Sequence, residues 1–248
     1  MLDRLAFTAM TGARHAMNQL SVTTNNLANA QTPGFREMLS TFRAVPIQGG
    51  AADSRAFVVD STPGFKWDPG AIIVTGNPLD VAIQREGMFA VRAVDGQEAY
   101  TRGGRFTLDA EGMLRNPKGH AVLDENSGEI FVPADVANVT VSATGELMAT
   151  LNGTNAPLVI AKLKLVNPLP GGLERRGDGY FDAIEGELYP DAGVRVQAGS
   201  LESSNVNLAE AMVQMIQQNR MFDLNMKMIQ TADQNAKSTS ALMSLSRI

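Results

Sequence analysis

The sequence predicts an α+β protein that is mainly β, with a long helix at each end of the chain. Residues 1–35 contain two glycines and one proline, and residues 201–248 contain neither, although the 248 residues together hold 23 glycines and 11 prolines. The remaining 21 glycines and ten prolines fall in residues 36–200, between short apolar segments that are typical of strands. This distribution predicts helical ends that flank a turn-rich middle.

The N-terminal segment has the apolar periodicity of a helix with an interacting face. Apolar residues recur there every seven positions, with two methionines beside that line: Ala6, Ala13, Leu20 and Leu27, then Met10 and Met17. A seven-residue repeat is typical of helices that pack along a shared seam. We therefore expect this helix to meet the helix at the other end of the chain.

Three asparagines close the N-terminal helix. Asn25, Asn26 and Asn29 are poor helix formers. Thr32-Pro33-Gly34 then predicts a turn, with Phe35 as an anchor just beyond it. Asparagine amides on a helix seam can pair and fix the register between chains, or they can fray and cap the helix end. The sequence leaves both interpretations open.

The middle of the chain has the pattern of antiparallel strands. Val136–Val141 and Leu158–Val166 are apolar segments of strand length. Asp95-Gly96 lies between two apolar segments and predicts a hairpin with a type I′ turn. Residues 109–112 predict a second hairpin, since apolar residues flank them on both sides.

The C-terminal segment carries the strongest helical pattern. Steps of seven residues give only apolar side chains: Leu208, Met215, Phe222, Ile229, Ala236 and Met243. A second apolar line is interrupted by polar residues and comprises Met212, Asn219, Met226 and Asp233. Asn207 is a suitable N-cap, and Glu210 stands three residues later to complete a capping box. The pattern predicts a long helix with an interacting seam.

The length of this seam favours assembly with other chains. Residues 208–243 would form a helix of roughly 54 Å at 1.5 Å per residue, whereas a compact middle of this size spans only about 40 Å. Part of the apolar seam therefore needs partners outside the chain. The alternative is that both helices fold back onto their own β domain. Since the seams lack partners before assembly, we expect the terminal segments to be largely disordered in the monomer.

Composition excludes several classes of function. The net charge of −5 argues against a nucleic-acid-binding protein. The absence of cysteine excludes disulfides, zinc–thiolate sites and cysteine nucleophiles. His15 and His120 are the only histidines, and no spacing of acids, histidines or glycines selects a catalytic, cofactor or metal site. The N-terminus lacks the pattern of a cleaved signal peptide, which by itself predicts a cytoplasmic protein.

Three ordered blocks of residues extend from residue 21 to residue 227. The first comprises Ser21, Asn25-Asn26-Leu27-Ala28-Asn29 and Thr32-Pro33-Gly34-Phe35. The second comprises Asn77–Ile83, Gly87-Met88-Phe89, Tyr100-Thr101-Arg102, Gly104, Phe106, Leu108-Asp109, Gly112 and Leu114. The third comprises Gly199, Leu201-Glu202, Ser204–Asn207, Glu210, Met215-Ile216, Arg220, Phe222, Asn225 and Lys227. Together they resemble the signatures of the bacterial flagellar rod and hook family, although Ala211 stands where that family usually has methionine.

The resemblance implies a fold of three parts. Residues 1–35 and 205–248 would form a coiled-coil-like helical domain, 36–75 and 196–204 a small connecting domain, and 76–195 an outer β domain. It also implies a structural subunit rather than an enzyme, without cofactors, which assembles with copies of itself and other rod proteins into a helical tube around the export channel. Export by the flagellar type III apparatus needs no cleaved signal peptide, so the resemblance places the protein in the periplasm-spanning rod instead of the cytoplasm.

Within the family, Met1–Leu5 and Ala9–Ala13 resemble the proximal-rod members, while distal-rod and hook members are paralogues with similar blocks. The heptads and the resemblance together predict ten residues of an assembly interface: Leu20, Asn25, Asn26, Leu27, Asn29, Phe35, Met215, Arg220, Phe222 and Ile229. Two alternatives of another class are a carbohydrate-binding module on a helical stalk and a hydrolase with an unrecognised site. One Trp and three Tyr offer few aromatics for a sugar-binding groove.

Overall fold

The computed structural model describes residues 2–40, 42–46, 56–60, 64–151, 156–169 and 171–245. It confirms a mixed α+β fold that is mainly β, with a long helix at each end. Parts of all three predicted domains lie outside the described residues, namely residues 1, 41, 47–55, 61–63, 152–155, 170 and 246–248. The chain divides into two compact units, one of residues 1–30, 37–67 and 206–248, the other of residues 31–36 and 68–205.

The first unit contains the two terminal helices and four short strands. Its elements are α1 (Leu2–Ala28), β1 (Met38–Leu39), β2 (Phe42–Pro46), β3 (Ala56–Asp60), β4 (Gly64–Phe65) and α2 (Leu208–Leu245). The helices contact each other along their length. The strands form two antiparallel pairs, β1 with β4 and β2 with β3. None of the helices in the described residues is long and apolar enough to cross a bilayer.

The second unit contains the remaining described strands. They are β5 (Ile72–Val74), β6 (Val81–Ile83), β7 (Met88–Arg92), β8 (Glu98–Thr101), β9 (Thr107–Leu108), β10 (Leu114–Arg115), β11 (Ala121–Val122), β12 (Val136–Val141), β13 (Glu146–Leu151), β14 (Pro157–Lys162), β15 (Leu165–Val166), β16 (Leu173–Arg175), β17 (Phe181–Ala183), β18 (Val196–Ala198) and β19 (Ser200–Glu202).

These strands form four antiparallel sheets. The largest has the order β16-β17-β8-β7-β11-β10-β9, with β15 paired to the start of β7. A second sheet has the order β12-β13-β14, and the pairs β18-β6 and β19-β5 complete the unit. Its core consists of buried aliphatic and aromatic side chains, among them Phe89 and Phe106, whose rings meet edge to face at 5.2 Å.

Most of the local predictions agree with the structure. Asn207 caps α2, since its Oδ1 accepts hydrogen bonds from the backbone N–H groups of Ala209 and Glu210 at 3.1 and 3.3 Å. The Glu210 carboxylate accepts from Gln214 one turn later. The segment predicted as one strand over 158–166 is two, β14 and β15, which belong to different sheets.

The first hairpin is correct, but its predicted turn type is wrong. β7 and β8 pair as expected. A type I′ turn needs positive φ at both central residues, and within the described residues only Ser127 among non-glycines has positive φ. The chain instead turns over residues 93–96, with the Gly96 N–H bonded to the Ala93 carbonyl and Gly96 at a φ of 80°. This is the three-residue loop with a glycine bulge, which Asp-Gly also suits.

His120 makes the β-rich unit sensitive to acid. The centre of its ring lies 4.6 Å from that of Tyr180, and only 7% of the residue is exposed. Burial lowers the pKa of His120 below its usual value, and the negative charge of Asp178 opposes that shift. The unfolded chain therefore binds this proton more readily, and stability falls as the pH drops below about 6.5. We expect His120→Phe, which keeps the stacking, to flatten the decline in thermal stability between about pH 7 and pH 5. An unchanged pH profile in the variant would contradict this assignment.

Candidate assembly site

The two terminal helices contact each other through small and polar side chains. The buried residues of this contact lie on heptad lines in both helices: Ala9, Ala13, Ala16 and Thr23 in α1, and Ala211, Asn225 and Ala232 in α2. Gln218 of α2 donates a hydrogen bond from Nε2 to Thr23 Oγ1 at 2.8 Å. Further along α2, Asn225 lies against Gly12, nearer the start of α1. The helices therefore run antiparallel.

Close approach explains why polar residues occupy this contact. A Cβ atom at Gly12 would lie 2.7 Å from Asn225 Oδ1, so the glycine gives the amide its space. The Asn225 Nδ2 donates back to the carbonyl of Met221 within α2 at 2.8 Å. Buried amides are tolerated where they find such partners.

The predicted seam forms the flank of this contact rather than its centre. Five of the predicted interface residues are half-buried beside the buried line: Leu20, Leu27, Met215, Phe222 and Ile229. The predicted second line, through Met212 and Met226, is exposed. Sequence reasoning missed the deepest line of α2 because Gln218 and Asn225 interrupt its apolar pattern.

A second apolar face of α2 lies opposite the buried line. Val213, Ile216 and Leu224 are each more than half exposed, and they share one side of the helix at 3.6 residues per turn. Arg220 lies on the same side and is also exposed. On α1, Phe7, Met10 and Met17 are likewise more than half exposed. Exposed apolar side chains that group on one side of a helix are typical of protein–protein interfaces.

Asn26 joins the end of α1 to strand β1. Its Nδ2 donates to the Met38 carbonyl at 2.9 Å, and its Oδ1 accepts from the Met38 N–H at 2.8 Å. The amide thus pairs with the strand as a backbone peptide would, and Asn26 is only 5% exposed. Asn29 instead donates to the Asn25 carbonyl at 2.9 Å and caps the helix end. Asn25 itself is exposed.

We expect Asn26→Ala to destabilise the first unit by about 1–3 kcal/mol, because it leaves two partly buried backbone groups of Met38 without their side-chain partner. Hydrogen exchange at the Met38 amide, measured on assembled chains in which α1 is folded, reports the loss locally and should become much faster. Asn25→Ala, one position away and exposed, is the matched control and should change neither quantity. Equal protection of Met38 in the two variants would contradict the role of Asn26.

A buried charge cluster in the second unit joins the second and third sequence blocks to Arg36, the residue directly after the first block. Glu202 of β19 binds Arg36 through Oε1 at 2.8 Å and Arg102 through Oε2 at 2.5 Å. Each of the three residues is no more than 3% exposed. Burial lowers the pKa of Arg36, and the nearby Glu202 opposes that shift. A single carboxylate thus neutralises one of two buried guanidinium groups.

Neutral acceptors add to the cluster, although the buried Arg36 Nε has no hydrogen-bond partner among the described residues. Arg102 Nη1 donates to the carbonyls of Arg85 and Gly87, both at 2.7 Å. Arg36 Nη1 donates to the carbonyl of Asp68 at 2.5 Å. Buried charges of this kind depend on ion pairs and hydrogen bonds for their stability. The network consequently fixes the positions of β19, of the segment after β8 and of the segment after the predicted turn.

Gly34 and Phe35 directly precede Arg36 and determine how the chain packs there. Gly34 has a φ of 69°, and a Cβ atom there would overlap the backbone of Arg102. Phe35 is buried in the second unit, where the Arg175 guanidinium lies 4.5 Å from its ring centre. The turn predicted from Thr32-Pro33-Gly34 therefore has a packing reason as well as a conformational one. Phe35 and the helix residues of the predicted interface belong to different units.

Three protein-family models match successive parts of the chain. They are described as Flagella basal body rod protein, over residues 8–36, Flagellar hook protein FlgE/F/G D1 domain, over residues 82–149, and Flagellar basal body rod FlgEFG protein C-terminal, over residues 197–242. The first range covers most of α1 and the following turn. The third covers β19 and most of α2.

Known rod proteins are similar along nearly the whole chain. The flagellar basal-body rod protein FlgF of Escherichia coli strain K12 is 41% identical over an aligned length of 254 residues, gaps included. The alignment covers 99% of this chain and 100% of that protein. FlgF of Salmonella typhimurium strain LT2 is 40% identical over 255 residues, with the same coverage. The flagellar basal-body rod protein FlgG of Caulobacter vibrioides is 30% identical over 262 residues, covering 96% of this chain and 98% of that protein.

Proposed function

This chain belongs to the bacterial flagellar rod and hook family and is a structural rod protein, and we propose that it is a subunit of the proximal part of the basal-body rod. The main observation that supports this proposal is the identity of 40–41% to two FlgF proteins over 99% of the chain. The FlgG of Caulobacter is similar over nearly the same length at 30% identity, which favours the proximal-rod role over that of a distal-rod or hook paralogue.

The terminal helices would form the tube of the rod. Their uncovered apolar faces on α1 and α2 would pack against the helices of neighbouring subunits, and methionine suits contacts that differ slightly from one neighbour to the next. The proposed interface keeps the ten predicted residues: Leu20, Asn25, Asn26, Leu27, Asn29, Phe35, Met215, Arg220, Phe222 and Ile229. Asn26 and Phe35 would act indirectly, since their side chains are buried within the chain.

We propose a division of the chain into three parts, which would suit a mechanical role. In this proposal residues 1–35 and 205–248 form the inner tube around the export channel. Residues 36–75 and 196–204 connect the tube to an outer domain of residues 76–195. The tube would transmit torque, and its partners would be copies of this chain, other rod proteins and the type III export apparatus. Its place would be the rod across the periplasm, reached without a cleaved signal peptide.

An in-frame deletion of the gene tests the rod role. We expect loss of swimming in soft agar, with electron micrographs of isolated basal bodies that show rods absent or stopped near the inner membrane. Re-expression of the wild-type chain should restore both. A motile deletion strain with complete basal bodies would overturn the role and favour the carbohydrate-binding alternative. Rods that stop only beyond a complete proximal part would favour the distal-rod paralogue.

Folding of the terminal helices on docking is a further expectation, because their apolar faces lack partners in a single chain. Circular dichroism of the purified monomer should show much less helix than the 65 residues of α1 and α2 require (27 and 38 residues). Limited proteolysis should remove both ends and leave the β-rich unit. Stable helices that resist the protease in the monomer would contradict this expectation.

A further inference from the structure

A polar hollow of about 380 Å³ lies within the first unit, between the two terminal helices and strand β1. Glutamines from both helices line it, Gln19 of α1 and Gln214, Gln217 and Gln218 of α2. Among the described residues around the hollow, Glu37 is the one that carries a charge. The hollow is therefore rich in hydrogen-bonding groups and negative at one point.

The surroundings of Glu37 have an excess of negative charge. Glu37 is half-buried, and burial raises the pKa of its carboxyl. The ammonium group of Lys66 opposes that shift, and the charge of Glu210 adds to it. Two carboxylates thus stand against one ammonium group among the described residues that act on this pKa. A further positive group in the hollow would reduce the repulsion.

The wall of the hollow also has an unused hydrogen-bond acceptor. Gln218 donates from Nε2 to Thr23, but its Oε1 is buried and has no hydrogen-bond partner in the part of the chain that the structure describes. A guanidinium group has five N–H donors and a fixed positive charge, so it can bind a carboxylate and an amide oxygen together. The polar chemistry of the hollow therefore fits an arginine side chain.

Apolar side chains open to solvent complete the lining. Leu39 of β1 and Met221 of α2 both line the hollow, and they are 40% and 56% exposed. A fitting partner should accordingly carry its arginine among apolar residues.

Arg220 has this setting on another side of α2. It is exposed and shares its side of the helix with three exposed apolar residues, Val213, Ile216 and Leu224. At 3.6 residues per turn, that side points about 100° away from the residues of α2 that line the hollow. A single chain thus carries the arginine and the hollow on different surfaces.

The level along the helix favours Arg220 over Arg14, the exposed arginine of α1. Arg220 lies within residues 214–221, the part of α2 that lines the hollow. A neighbour displaced sideways therefore presents Arg220 at the level of the hollow without a shift along the helix. Arg14 lies five residues before Gln19, or about 8 Å at 1.5 Å per residue, and would need such a shift.

We propose that Arg220 of one subunit enters the polar hollow of a second copy of this chain and pairs there with Glu37. The inference rests on the proposed rod role, because it names one contact between the subunits of that assembly. Ile216 and Leu224 would lie against the open apolar lining of the hollow. Since the two surfaces differ, the contact is heterologous, and such contacts close into rings or extend into helical assemblies.

Exchange of the two charges tests the pairing. In the deletion strain, Glu37→Arg and Arg220→Glu should each abolish swimming and rod completion, because like charges would meet, and the two substitutions together should restore both. The matched control combines Arg220→Glu with Glu174→Arg, which has the same net charge but reverses an exposed carboxylate of the second unit. Cells with that control should not swim.

Single cysteines show whether the contact joins two chains, because the chain has no cysteine of its own. Chains with Ser40→Cys, beside the hollow, and differently tagged chains with Asp223→Cys, close to Arg220, are expressed together in the deletion strain. A short thiol-specific cross-linker should then give covalent heterodimers in isolated basal bodies. The control replaces Asp223→Cys by Gln230→Cys, which is exposed two turns further along the same side of α2 and should give none.

The outcomes separate this contact from the rod role. Failure of the double charge exchange to restore swimming, or its restoration by Arg14→Glu in place of Arg220→Glu, would overturn the pairing. Absence of the Ser40–Asp223 cross-link in basal bodies of swimming cells would also overturn it, and this test leaves both charges in place. In each case the rod role would stand, since only a motile deletion strain would remove it.

Discussion

Replacement of Glu202 by glutamine is expected to lower the free energy of unfolding of the β-rich unit by about 3–5 kcal/mol, the range for breaking a buried ion pair. The carboxylate lies between Arg36 and Arg102, and all three side chains are buried. Glutamine has nearly the same shape but no charge, so two guanidinium ions would remain uncompensated. Chemical denaturation of the purified chain measures the effect, and a loss of this size removes a large part of a domain's stability.

Glu174→Gln is the matched control for this prediction. Glu174 lies in the same unit, on β16, but it is exposed, and the same substitution there should change the unfolding free energy by less than about 0.5 kcal/mol. If Glu202→Gln proved as stable as this control, the two arginines would have other means of neutralisation and the proposed role of the cluster would be wrong.

The second large effect is expected on assembly. The double substitution Ile216→Asp and Leu224→Asp places two carboxylates on the exposed apolar face of α2. Burial of an unpaired charge in an interface costs several kcal/mol, so we expect complete loss of swimming and of rod completion. Neither side chain is buried in the single chain, so the unfolding of the purified β-rich unit should not change.

Asn219→Asp combined with Gln230→Asp is the control. It adds the same charge at two exposed polar positions of α2, which are eleven residues apart where Ile216 and Leu224 are eight apart. Cells with this variant should swim. If they did not, charge anywhere on α2 would block assembly, and the face of Ile216 and Leu224 would have no special role. Swimming of cells that carry Ile216→Asp and Leu224→Asp would directly contradict the proposed interface on α2.

The sequence predicted the elements that depend on local pattern. Both helices, the Asn207 cap and both hairpins follow from periodicity and from the preferences of single residues. The turn at Asp95-Gly96 was predicted with the wrong type, because one glycine with positive φ serves two loop geometries. Distinguishing the two requires the conformation of Asp95, which the residue types alone do not determine.

The deeper helix contact and the charge cluster depend on the fold. Gln218 and Asn225 look like interruptions in an apolar line, and only the facing Thr23 and Gly12 explain them. Arg102 and Glu202 are 100 residues apart, and no periodicity relates them. A pattern signal was nevertheless present, since both belong to the blocks that resemble the family. Their opposite charges could have indicated a buried pair.

The hydrogen bond from the Asn205 N–H to the Phe35 carbonyl, at 3.3 Å, has a topological consequence. The chain first reaches the β-rich unit over residues 31–36, returns to the first unit over residues 37–67, and then stays in the β-rich unit from residue 68 to residue 205. Asn205 Nδ2 also donates to the Asp68 carbonyl at 2.8 Å, so this long segment is an insertion whose ends meet. Loops and strands within such a cassette can lengthen, shorten or be exchanged without altering the spacing of its two connections. Relatives that share the terminal helices can therefore differ freely in the size of this part, because the junction alone has to be preserved.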